Sequence, residues 1–151
     1  MTLEWGEVWT FTDREIKNWY AANSQGVTDW ELRLEQLIGL PPEAGYTHIS
    51  AFWASPEDVI RPAYVTDPTQ PMTNQLAEDM DEADLDWFDG NILWSYFDSA
   101  YPWTRLGYTY DWADNGQEYG LSEFLIRDGA EVNVAFTMAT EQFLDWLAEE
   151  E

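Results

Sequence analysis

Apolar and polar positions first alternate over residues 6–12, where Val8, Thr10 and Thr12 oppose Trp9 and Phe11. Period-two alternation predicts a short strand with an aromatic face. The period then changes. Ile16, Trp19 and Tyr20 stand at i, i+3, i+4 and predict a helix over residues 13–23, with Thr12 or Asp13 as its cap. Trp30, Leu34, Leu37 and Ile38 give a second apolar stripe. Thr28 and Glu31 ahead of it have capping-box spacing, and Gly39 and Pro41-Pro42 end it. Residues 46–54 read as a strand, and Ser55-Pro56-Glu57-Asp58 opens a short helical turn with acids at its positive end. Residues 66–75 hold two prolines and little apolar content, as a loop would.

The second half repeats the logic with shorter spacings. A helix is expected to start near residues 81–84 and run on through Trp94 to Phe97, weakened at Gly90. Residues 105–112, 119–127 and 130–138 read as three strands, joined by Asp114-Asn115-Gly116 and Asp128-Gly129 turns. Val132, Val134, Phe136 and Met138 would share one face of the last strand. Residues 140–150 close as a helix, with Phe143, Leu144 and Leu147 turned inward. The order of elements predicts an α+β fold in a single domain over residues 1–151. It would be one mostly antiparallel sheet, a meander in its C-terminal half, with helices packed on it.

Composition adds a core and removes several function classes. Hydrophobic residues make up 45% of the chain and aromatics 17%, which opposes disorder and suggests an aromatic-rich core. Cysteine is absent, so no disulfide or thiolate metal site can form. No signal peptide or membrane-length apolar run is visible, and a cytoplasmic protein with no membrane association is expected.

Charge changes the picture most. Thirty acidic residues face six basic ones, for a formal net charge of −24. Such a chain repels nucleic acid and anionic surfaces, so direct nucleic-acid binding is not expected; it attracts proteins with large positive grooves. The acidity peaks between residues 78 and 89, where Glu78, Asp79, Asp81, Glu82, Asp84, Asp86 and Asp89 occur with no basic residue among them. Carboxylates three or four residues apart on a helix sit about 5–6 Å from each other and can imitate a row of phosphates. A solvated acidic loop and bulk halophilic adaptation remain competing explanations of the same run. Its acids do not follow the spacing of a Ca²⁺-binding EF-hand loop. Asp145, Glu149, Glu150 and Glu151 place further negative charge at the C-terminal end of the last helix, where the dipole prefers cations.

Candidate chemistry elsewhere is sparse. His48 is the single histidine, in an apolar strand, and no Gly-rich phosphate loop or Walker lysine occurs. No metal site or cofactor is expected. Arg105, within the aromatic stretch, is expected to pair with Asp111 or Glu123.

Two resemblances follow from particular segments. The stretch PWTRLGYTYDW at residues 102–112, with GLSEF at 120–124 and IRDGAEV at 126–132, resembles a signature of small bacterial and phage proteins. Phe52-Trp53, Ser55-Pro56-Glu57-Asp58 and Arg61-Pro62 resemble the same group. That likeness implies a bacterial or phage origin and no particular activity. Its members often carry Cys where this chain has Ala63, so a disulfide or metal role is excluded here. Glu123-Phe124-Leu125-Ile126 with Asp128-Gly129 resembles the last strands of ADP-ribosyltransferases, with Leu121-Ser122-Glu123 in place of their paired Glu or Gln motif. This second likeness implies a catalytic Glu123 with Arg61 or Arg105, acting on NAD.

Three expectations result. The first is a non-enzymatic acidic inhibitor that mimics DNA and occludes a basic nucleic-acid-binding protein or complex, of anti-CRISPR or anti-restriction type. The second is an NAD-consuming enzyme built on Arg61, Arg105 and Glu123. The third is an acidic immunity protein against a basic nuclease toxin.

Overall fold

The computed structural model describes residues 1–42, 44–76, 78, 80, 82–93 and 104–149. The aromatic alternation condenses to a short strand, β1 (Val8–Thr10), and the helical spacing after it gives α1 (Asp13–Asn23), with Thr12 at the N-cap. α2 (Trp30–Leu37) departs from the capping box by one residue. Asp29 is the cap in place of Thr28, and its carboxylate accepts the Leu32 N–H at 3.0 Å. A charged acceptor gains from the helix dipole as well as from the hydrogen bond, which favours Asp29 over its neighbour. The far end closes as the sequence predicts. Gly39, at φ 73°, turns the chain back, and the Gly39 and Leu40 N–H groups donate to the Gln36 and Glu35 carbonyls.

The remaining elements are β2 (His48–Ala54), a 3₁₀ turn (Pro56–Asp58), β3 (Val59–Ile60), α3 (Glu82–Leu93), β4 (Tyr108–Tyr110), β5 (Tyr119–Ser122), β6 (Phe124–Ile126), β7 (Val132–Ala139) and α4 (Thr140–Ala148). The fold is α+β with antiparallel pairing, as expected. The pairing pattern differs from a single sheet with a meander, because the described strands form three small sheets, β1-β6-β3, β2-β7 and β4-β5. Two local causes are visible. At Glu123, whose side chain is buried and whose N–H makes a last bond to the Gly107 carbonyl in register with β4-β5, the chain passes from that pair into β6. β6 then enters between β1 and β3, so that Val8 and Val59 both face Ile126. β7 does not fold back on β6, because residues 1–3 occupy that place. Leu3 exchanges backbone hydrogen bonds with Gly129 and Ala130, and Met1 with Val132.

The β2-β7 ribbon carries a bulge. Ala51 pairs with Phe136 but Phe52 pairs with Val134, which leaves Ala135 as the extra residue. The expected common face of Val132, Val134, Phe136 and Met138 is therefore broken, and Val134 is exposed. The two ends of the ribbon present opposite faces to two cores. Ile49, Phe136 and Met138 pack on the first, built from Ile16, Leu34, Leu37, Leu121, Phe143 and Leu147. Phe52, Ala54 and Val132 join the second, with Leu3, Ile126 and Ala130.

The expectation of an aromatic-rich core is corrected. Among the described hydrophobic residues, Phe88 and Phe143 are the buried aromatics, while Trp19, Tyr20 and Trp146 pack around the edge of the first core. Trp5 and Trp53 are exposed. Rings this large with a polar N–H sit well at the border between apolar core and water. No helix among the described residues is long and apolar enough to cross a membrane.

Candidate partner-binding surface

Four acids of the run, Glu82, Asp84, Asp86 and Asp89, lie on α3. Two acids, Glu82 and Asp84, stand in its first turn, where the helix dipole stabilises them. The helix is held to the body through its apolar side. Phe88 is buried and lies 5.3 Å from the Tyr64 ring, and Trp87 Nε1 donates to Glu7 Oε2 at 3.0 Å. That attachment fixes which carboxylates face water. Glu82, Asp86 and Asp89 fall at i, i+4 and i+7 and are all exposed. At 3.6 residues per turn they lie within about 60° of one another and span about 10 Å of helix axis. None of the three carboxylates has an ion pair or hydrogen bond among the described residues. Glu78 is exposed just ahead of the helix, and Asp84 is half-buried. Asp79 and Asp81 lie outside the described residues, as do Glu150, Glu151 and the expected continuation of the helix to Phe97.

Other acids have been drawn inward, and these were hidden in the sequence. Asp111 is buried and forms a two-pronged ion pair with Arg33, at 2.7 and 3.0 Å. Arg33 also lies over the Trp19 ring. Glu35 is buried and accepts the Gly45 and Tyr46 N–H groups, which ties down the loop after α2. Glu15 accepts both the N–H and the hydroxyl of Ser122. The sole lysine has a comparable duty. Lys17 Nζ lies 4.4 Å from the Trp146 ring centroid and donates to the Glu149 carbonyl at the end of α4. It thus places a cation at the helix end that the sequence crowds with carboxylates. Three of these contacts join distant positions, 78 residues apart for Arg33 and Asp111, 107 for Glu15 and Ser122 and 132 for Lys17 and Glu149, and no local pattern announces them.

The set Arg61, Arg105 and Glu123 is committed internally. Glu123 is 4% exposed, and Thr104 Oγ1 donates to its Oε2 at 2.6 Å. Burial pushes its carboxyl up to about 8, against the opposing pull of the Thr104 hydrogen bond. Arg61 spends its guanidinium on the Pro68 and Gln70 carbonyls, and Gly107 lies against its stem. Arg105 pairs with Glu118 at 3.2 Å and lies over Tyr110, rather than pairing with Asp111 or Glu123 as expected. Asp111 is taken by Arg33 and Glu123 by Thr104, and Glu118 is the carboxylate that meets Arg105. Glu123 and Arg61 both meet Gly107, the first through the Gly107 carbonyl and the second through its stem, and neither lines the cleft at Trp53 or the one formed by residues 1–8. His48 is exposed at the start of β2 and shares a hydrogen bond with Thr47 Oγ1. Among the described residues no group of His, Asp and Glu is placed to hold a metal ion.

No protein-family model, curated protein or solved structure matches the chain.

Proposed function

We propose that the protein is an acidic inhibitor that occupies the nucleic-acid groove of a basic bacterial protein or complex, in the manner of an anti-restriction or anti-CRISPR factor. One observation carries this reading: the exposed row Glu82, Asp86 and Asp89 on α3, in no ion pair among the described residues, in a chain of net charge −24. Helical spacing of about 5–6 Å between these carboxylates suits a groove lined with Lys and Arg that otherwise receives phosphates. Phe88 and Trp87 anchor the helix from behind, so the row is displayed on a braced support. The inhibitor would displace the counterions of the groove as DNA does, associate fast and weaken steeply with salt. The reading based on Arg61, Arg105 and Glu123 gains no support from side chains that are occupied by internal partners.

Affinity capture from a bacterial lysate tests the proposal, with excess double-stranded DNA as competitor. The expected product is a basic nucleic-acid-binding protein that DNA releases and that is lost between about 50 and 200 mM salt. A captured nuclease toxin would place the protein on the immunity branch of the same electrostatic mechanism. The proposal falls if the variant Glu82→Gln/Asp84→Asn/Asp86→Asn/Asp89→Asn captures the same partner with undiminished yield.

A further inference from the structure

Carboxylates alone attract any cation, so a groove-binding inhibitor also needs an anchor that fixes position. Hot spots of interfaces are buried aromatic and arginine side chains rather than rim charges. Among the described residues, the two most exposed large aromatics flank the Asp128-Gly129 turn. Trp5 is 99% and Trp53 72% exposed. Trp53 stands opposite Asn133 on the β2-β7 ribbon, on the face that the bulge leaves without a core. Glu131, two residues before Asn133, bridges to Thr2 in the segment that leads to Trp5. Beyond Trp5, the Gly6 N–H donates to Asp128 Oδ1, which holds that segment to the turn.

Trp5 lines a separate cleft formed by residues 1–8, while between the end of β2, the 3₁₀ turn after it and the start of β7 lies an open cleft of about 580 Å³. Trp53 forms one wall, and Glu57, Asp58 and Glu131 bring carboxylates to its lining, with no cation among the lining residues. Arg127 leaves the same turn outside the cleft, exposed and in no ion pair among the described residues.

An aromatic face flanked by carboxylates is the chemical complement of a guanidinium. The planar cation stacks on the indole while its N–H fork meets the acids, and a lysine ammonium uses such a surface less well. We infer that the unpartnered Trp53 end of the β2-β7 ribbon is the anchoring surface for an arginine-bearing segment of the basic partner. The inference rests on the proposed function, since it names the side chain by which that partner is gripped. Charge complementarity selects this occupant over an apolar one, because three acids share the cleft with the indole.

Octa-arginine and octa-lysine peptides separate the possibilities by calorimetry at near-physiological salt. They carry the same charge, and only the first can stack. Octa-arginine should bind the wild type more tightly, and Trp53→Ala should weaken it about threefold to tenfold while leaving octa-lysine unchanged. Trp53→Phe should recover part of the difference. In NMR spectra, octa-arginine should shift the Trp53 indole N–H and Asn133 more than octa-lysine does.

Equal affinity for the two peptides, or arginine binding that ignores Trp53→Ala, overturns the anchor. If both peptides still bind and the α3 charge variant weakens them, the basic-partner reading survives that loss. If neither peptide binds, both readings fall together. Sedimentation of the wild type as a dimer that Trp53→Ala dissociates would assign the face to a second copy of this chain and also overturn the inference.

Discussion

Glu123 is the residue where burial and titration meet. Its carboxyl stays protonated in the folded chain up to about 8, whereas the ordinary value is 4.5. Between these limits the folded state holds a proton that the unfolded state has released. Stability contributed by this group is therefore intact at acid pH and falls as pH rises, with a limiting slope of about 1.4 kcal/mol per pH unit. Ordinary carboxylates are already charged across this window, so the slope is a signature of the buried one. Glu123→Gln keeps the shape and can still accept from Thr104, but it does not ionise. It should melt close to the wild type near pH 5 and clearly above it near pH 8; parallel melting curves for the two proteins would contradict the assignment. The sequence marked Glu123 as a residue of interest, but through a catalytic likeness. Its burial depends on Thr104 and Gly107 closing over it, a contact no spacing reveals.

Two glycines show how the elements read in different degrees. Gly90 looked like a weak point, yet α3 runs through it, and a Cβ there would meet no atom within 4 Å. Gly90→Ala should stabilise the protein by about 0.5–1 kcal/mol, since it only removes unfolded-state freedom. Gly120 carried no signal beyond its place in a strand. A Cβ there would collide with Thr109 Oγ1 and the Leu37 carbonyl, which are themselves hydrogen-bonded at 2.6 Å. Gly120→Ala should cost about 1–3 kcal/mol, because β5 must back away from the end of α2. Urea denaturation of both variants checks the opposite signs. Helix positions were legible because their apolar spacing is local: α1, α2 and α4 lie where it puts them. Strand partners were not, since β6 and β7 are steered by Glu123 and by residues 1–3, distant in the chain.

At the scale of the molecule, thirty acids against six bases mean self-repulsion that salt relieves. Raising ionic strength from about 0.01 to 0.15 M shortens the screening length from about 30 to 8 Å and should raise the melting temperature, with little further gain beyond. A melting temperature that keeps climbing toward molar salt would favour halophilic adaptation over a displayed surface. The total charge was plain in the sequence. Its division was not: Glu15, Glu35, Asp111 and Glu123 serve the interior, while Glu82, Asp86 and Asp89 remain outside. The ribbon of β2 and β7 has a consequence for how the molecule comes apart. Its two ends belong to different cores, and the second contains only four buried side chains. Neither core can loosen without pulling on strands that the other holds, so the bulge at Ala135 couples two small clusters into one cooperative unit of unfolding.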